Sequence, residues 1–148
     1  MGLFSPRPTP IVAPPLTQKR ITAMFDEAKW RYFIDNEGTF GTIWDDNTYL
    51  FFLHGPNKEI LNIQGKWSQV LSPEHLDSLR EFITRWHQET LWPKCFFSID
   101  DHGRIRVLTE FTIDHEMGVT DKQLHLHISC AIGLSTEFFT ALGSALDT

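Results

Sequence analysis

The chain has 148 residues, of which 41% are hydrophobic and 22% are charged, and its formal net charge is −6. This length fits one domain, which can bury about 70% of the surface that the unfolded chain exposes. The acidic balance argues against general nucleic-acid binding, which needs a basic face. The lack of an apolar leader or a long apolar run, together with only two cysteines, predicts a cytoplasmic protein with reduced thiols and no membrane partner.

The N-terminal segment 1–15 contains five prolines. Because proline cannot continue a helix or a central strand, we predict a flexible tail here, with a proline-rich docking segment as the sharper alternative. A single domain is predicted for residues 16–148. Thr17 suits a helix N-cap, and apolar residues then recur at helical spacing, which predicts a first helix over residues 17–28.

Four strand-like runs follow, separated by turn residues. Their short links favour antiparallel hairpins over crossovers. They are predicted at residues 30–35, 40–44, 48–54 and 59–67. Ser72 is then predicted to cap a second helix, with Pro73 in its first turn, where a missing N–H is harmless.

Two more strands are predicted at residues 94–99 and 104–114, and a last helical region at about 121–146, which Gly133 and Ser135 could bend or split. The second of these strands alternates between apolar and polar residues, so one of its sides is expected in the core. The order helix, four strands, helix, two strands, helix predicts an α+β fold in which helices pack against an antiparallel sheet.

Residues 114–127 hold three histidines close to carboxylate and amide side chains. A zinc-protease helix needs a second histidine four residues after the first, but Val119 stands four residues after His115. Thr120 and Gln123 instead form a capping-box pattern. We therefore interpret the segment as a strand end, a glycine turn and a helix start.

Two pairs of carboxylates, Asp45-Asp46 and Asp100-Asp101, could act as acid and base or hold a cation. Asp beside Asn or Gly is also what hairpin turns require, and we prefer that interpretation. Cys95 and Cys130 lie among apolar residues, which predicts core thiols and no nucleophile. We predict no catalytic residue, no cofactor and no metal site.

The run Tyr-Leu-Phe-Phe-Leu at residues 49–53 is apolar on both faces of a strand. A sheet covered on one side needs apolar residues on that side only, so the surplus predicts a binding or dimer surface; a second helix over that face is the alternative. We expect Trp44, Tyr49, Phe51 and Leu53 to bind a protein. A shift of one residue would exchange Phe51 for Phe52.

Over about residues 15–147 the chain resembles the YbjN family of bacterial sensory transduction regulators. The resemblance is carried by residues 30–35, by Gly41-x-x-Trp44-Asp45, by residues 49–53, by Leu61-x-x-x-Gly65-x-Trp67, by Trp92-Pro93-Lys94 and by residues 118–124. It implies a fold similar to that of class I type III secretion chaperones, which are small α+β homodimers that bind extended protein segments. It supplies no catalytic residues.

The sequence thus predicts a non-enzymatic, cytoplasmic interaction module. We expect a homodimer that binds a protein or peptide through the aromatic sheet surface and a free strand edge. No nucleic-acid partner is expected, since a DNA-binding regulator fits the charge poorly. The alternative is an enzyme, or a small-molecule or metal sensor, that uses the acidic turns and the residues from His115 to His127.

Overall fold

The computed structural model describes residues 13–147, which fold into three α-helices and six strands. The helices are α1 (Gln18–Ala28), α2 (Leu76–Glu89) and α3 (Asp121–Ala145). The strands are β1 (Phe33–Ile34), β2 (Phe40–Trp44), β3 (Asn47–His54), β4 (Ile60–Leu71), β5 (Lys94–Ile99) and β6 (Ile105–Asp114). They form one antiparallel sheet in the spatial order β1-β2-β3-β4-β6-β5, which confirms the predicted α+β fold and element order.

The strand bounds follow the prediction closely, with two exceptions. β1 is reduced to Phe33–Ile34, because the preceding Trp30 and Tyr32 pack their rings on Phe25. β4 continues beyond Trp67, through a shift in its register with β6. The buried side chain of Leu71 anchors this extension in the core.

The segment before α1 is tied to the fold. Val119 donates its N–H to the carbonyl of Pro14 at 2.9 Å, and the Arg20 guanidinium donates to the carbonyls of Pro14 and Pro15 at 2.9 Å each. The carbonyls of Pro14 and Pro15 are therefore hydrogen-bonded to the domain, while the flexible tail stays a prediction. The rest of that segment, residues 1–12, lies outside the described residues.

The two later helices begin differently. Thr120 caps α3 in a capping box with Gln123, as predicted. Ser72 makes no cap hydrogen bond; its hydroxyl lies 3.1 Å from Nδ1 of His75. The predicted cap is wrong because a short 3-10 turn, Pro73–His75, comes first, so that α2 begins only at Leu76.

The last helix, α3, is unbroken, so neither Gly133 nor Ser135 splits it. Ser135 is buried and accepts a hydrogen bond from the Thr109 hydroxyl at 2.7 Å, which fixes the helix on β6. By length and composition alone, α3 could cross a membrane. The helix needs this hydropathy because it packs its buried residues into the core.

Candidate binding surface

The two faces of β3 have different environments. Tyr49 and Phe51 are 0% and 1% exposed. The Tyr49 hydroxyl lies 2.8 Å from that of Thr136 on α3, and the Phe51 ring packs edge-on against Phe25 on α1. Because side chains alternate along a strand, Leu50 and the other even-numbered residues of β3 face the opposite side.

All three helices pack on the Phe51 side of the sheet. Phe25 of α1 packs against Phe51, Phe139 of α3 stacks on Trp67, and the Arg80 guanidinium of α2 lies over the Phe97 ring. Within residues 13–147 no helix packs on the other side, which we call the helix-free face. The strand registers place these apolar side chains on the helix-free face: Phe33, Ile43, Leu50, Phe52, Ile60, Phe96 and Leu108.

Four of these side chains, from β1 to β3, form what we call the apolar patch: Phe33, Ile43, Leu50 and Phe52. Gly41 provides the space that brings two of them together, because a Cβ built there would stand 2.8 Å from the Phe33 ring and 3.0 Å from Leu50. Ile43 is 62% exposed. Phe33, Leu50 and Phe52 are partly exposed, so the apolar patch is a candidate interaction surface.

A polar stripe borders the apolar patch. Asn62 on β4 donates from its amide to the Glu110 carboxylate and to the Thr112 hydroxyl on β6. The Lys94 ammonium reaches Glu110 at 3.3 Å and lies 5.6 Å from the centre of the Phe96 ring. The helix-free face thus combines apolar side chains with fixed polar ones, which is the composition of protein interfaces.

The structure corrects the predicted binding residues. Tyr49 and Phe51 are buried among the helices, so they are core residues and not a surface. Because the odd-numbered side chains of β3 face the helices, Phe52 and not Phe51 points to the helix-free face. Leu53 is only partly buried, but it packs against the same core.

Trp44 is also on the helix side of the sheet. Its ring packs against that of Trp30 at 5.6 Å, and 47% of the residue stays exposed. Of the four predicted residues it alone combines a large side chain with substantial exposure. The four do not form one surface, because Trp44 lies at the end of β2 while Tyr49 and Phe51 are enclosed.

Both acidic pairs occupy hairpin turns, as interpreted from the sequence. Asp45 and Asp46 have φ of 52° and 64°, as a tight hairpin between β2 and β3 requires. Asp100 accepts hydrogen bonds from the N–H groups of His102 and Arg104. Burial would raise the pKa of Asp100, but these bonds and the Arg104 guanidinium lower it. Its carboxylate is therefore engaged in holding the turn.

The two thiols differ. Cys95 is buried as predicted, and burial raises the pKa of its thiol to about 12. Cys130 is exposed, so its predicted place in the core is wrong. It lies one helical turn after Leu126, which is 57% exposed, on a face of α3 that no described element covers fully.

The histidines separate as their spacing required. His125 packs on Trp30 at 5.7 Å, whereas His127 stacks on His115 with ring centres 5.4 Å apart and planes 19° apart. His115 is buried; burial and the neighbouring His127 lower its pKa, which favours a neutral ring. Among residues 13–147, no three His, Cys, Asp or Glu side chains are grouped to hold a metal.

The fold and these surfaces define a small α+β protein whose sheet is covered by helices on one face and open on the other. A family model matches residues 17–144. The chain therefore belongs to the YbjN family, whose description is "Putative bacterial sensory transduction regulator". A search of curated proteins gave no match.

Two solved structures share the fold. The crystal structure of YbjN, "a putative transcription regulator from E. coli", superposes with a TM-score of 0.74 at 11% identity and covers 87% of this chain and 93% of that one. An uncharacterized protein from Methanothermobacter thermautotrophicus gives a TM-score of 0.59 at 15% identity, covering 87% of this chain and 98% of that one. The likeness to type III secretion chaperones stays a prediction.

Proposed function

We propose that this protein is a non-enzymatic, cytoplasmic regulatory module that acts by binding another protein through its helix-free face. The observation that carries the proposal is the apolar patch at Phe33, Ile43, Leu50 and Phe52, on a side of the sheet that no described helix covers. The family description supports a regulatory role. The net charge of −6 favours a protein partner over DNA.

The energetics of the face fit this role. Covering an apolar side chain contributes roughly 25 cal/mol per Å² of buried area. A cluster that includes two aromatic rings, Phe33 and Phe52, is the kind of centre around which interface energy concentrates. Hydrogen bonds and an ion pair hold the side chains of the stripe at Asn62, Glu110 and Lys94. These side chains are therefore already ordered before a partner binds.

The test compares two matched variants. Ile43→Glu charges the helix-free face, while Ile99→Glu makes the same change on the helix side of β5, where the residue is 49% exposed. A partner is first identified by affinity purification from the cell that encodes the protein, then purified and titrated calorimetrically. We expect Ile43→Glu to weaken binding at least tenfold, about 1.4 kcal/mol, and Ile99→Glu to leave it unchanged. Equal affinities for both variants would contradict the proposal.

The homodimer belongs to the proposal as a separate part, and its support is the resemblance to dimeric chaperones. Light scattering should give a mass twice that of the 17.2 kDa chain. Because we assign the helix-free face to a partner protein, Ile43→Glu should keep that mass. A monomeric wild-type protein would rule out this part while leaving the partner site to be judged by calorimetry.

A further inference from the structure

A second surface lies on the helix side of the sheet, where β5 begins. A groove of about 910 Å³ opens there between β6, α3 and the loop that joins α2 to β5. Phe111 and Ile113 form its floor. Its walls carry Leu91, Trp92 and Leu126, which are 86%, 56% and 57% exposed. Three large exposed apolar side chains around one groove indicate that another molecule covers it.

One wall of the groove is held in place. The indole N–H of Trp86 on α2 donates to the carbonyl of Trp92 at 3.2 Å. The Trp92 ring also packs on Phe111, with ring centres 6.3 Å apart. The loop therefore presents its apolar side chains from a fixed position, which reduces the ordering cost of binding.

The groove runs along a free edge of the sheet. β5 pairs with β6 only as far as Lys94 opposite Glu110, whereas β6 continues to Asp114. Residues 111–114 therefore have β4 on one side and, within the described chain, no strand on the other. An unpaired strand edge offers main-chain donors and acceptors to an added strand.

Two hydrogen bonds establish which main-chain groups face this edge. The His115 N–H donates to the Glu59 carbonyl at 2.9 Å, toward β4. The Cys95 N–H donates to Nε2 of His87 at 2.9 Å, away from β6. Both bonds require that odd-numbered residues of β6 bond to β4 and even-numbered ones point toward β5. The N–H and C=O groups of Thr112 and Asp114 therefore face the open edge.

We propose that this groove binds an extended, uncharged peptide segment of another protein, which adds as a strand to residues 111–114 of β6. Side chains paired opposite Phe111 and Ile113 would project to the same side of the sheet and enter the groove, so the segment needs apolar residues at alternate positions. Lys94 and Glu110, at the groove's end, neutralise each other at 3.3 Å, so they do not select a charged ligand. The groove opens on the helix side of the sheet, and its residues Lys94 and Glu110 also border the helix-free face.

The chain carries its own reporter for the test. Cys130 is exposed and lines the groove, whereas Cys95 is buried with its pKa raised to about 12. In the native protein the rate of alkylation by iodoacetamide therefore reports the accessibility of Cys130. The probe is a phage-displayed library of random peptides, selected on the full chain. We expect the selected peptides to alternate apolar and polar residues, and the strongest of them, made synthetically, to slow alkylation of Cys130 at least tenfold.

Two matched controls identify the mode of binding. N-methylation of the peptide at alternate main-chain nitrogens should abolish protection when the methyl groups lie on the edge that meets β6, and preserve it on the other edge. Leu126→Glu should weaken peptide binding at least tenfold. Met117→Glu, at a site 67% exposed and outside the groove, should not change binding, and neither should Ile43→Glu on the helix-free face.

Several results would overturn the proposal. These are selection of no peptide, equal binding of both N-methylated forms, and undiminished binding to Leu126→Glu. A dimer that dissociates in Leu126→Glu would show that a second copy of the chain covers the groove. None of these results bears on Ile43→Glu and the partner of the helix-free face, so the two proposals fail separately.

Discussion

At the scale of single residues, Gly65 sets the distance between sheet and helix. A Cβ at this position would collide with the Thr109 hydroxyl and stand 2.9 Å from the Tyr49 ring. Thr109 in turn donates to Ser135 of α3, and Tyr49 bonds to the next residue of that helix. The glycine therefore lets two polar contacts between sheet and helix form within a close-packed core.

Gly65→Ala should lower the free energy of unfolding by about 1–3 kcal/mol, the usual cost of overpacking. Gly133→Ala is the matched control, since nothing lies within 4 Å of a Cβ there. Gly133 is an exposed helical position, so the control should raise stability by up to about 1 kcal/mol. Urea denaturation followed by circular dichroism measures both. Equal effects would show that Gly65 is not sterically required.

His115 makes stability depend on pH. Burial lowers its pKa below the ordinary value of 6.5; His127 and Arg20 lower it further, while Asp114 opposes the shift. The unfolded chain therefore binds the proton more readily than the folded protein. The contribution of neutral His115 to the free energy of unfolding is complete above pH 6.5 and is lost as the pH falls below that value.

Between about pH 7.5 and about pH 5, His115→Gln should therefore lose less stability than the wild-type protein, as measured by urea midpoints. His102→Gln alters an exposed histidine in the turn between β5 and β6, and it should lose as much as the wild type. The same loss in all three proteins would show that the stacked pair does not control the acid response.

At the scale of elements, local signals predicted most of the structure. β2 and β5 have the predicted bounds, and the capping box at Thr120 starts α3 where expected. These features depend on neighbouring residues alone. The parity of β3 does not, because residues 49–53 are apolar on both faces; only the position of the helices shows that Tyr49 and Phe51 are buried and that Phe52 is not.

The contrast between two helix starts can be measured. Thr120→Ala removes a hydroxyl that accepts the Gln123 N–H at 3.1 Å, so it should cost about 1 kcal/mol of unfolding free energy. Ser72→Ala removes a hydroxyl that makes no cap bond and should cost at most about 0.5 kcal/mol. Thermal or urea denaturation distinguishes them. A larger loss at Ser72 would contradict the observed start of α2.

At the scale of the whole molecule, both candidate sites arise from residues distant in sequence. The helix-free face joins side chains of all six strands, and the groove joins the end of β6 to α3 and to the loop before β5. Periodicity could not predict the groove, because the groove depends on where β5 begins relative to the end of β6. The number and order of helices and strands predict the layers of the fold. Which strand edge is unpaired and which sheet face is uncovered depend on the strand register.

The most direct test of the central claim, that a partner protein binds the helix-free face, is site-specific photo-crosslinking in the cell. A benzophenone amino acid replaces Phe52, an aromatic residue of the apolar patch, or Gln88, an exposed residue of α2 on the helix side. We predict that irradiation links the position of Phe52 to one defined protein and the position of Gln88 to none. No product at position 52, or the same products at both positions, would contradict the claim.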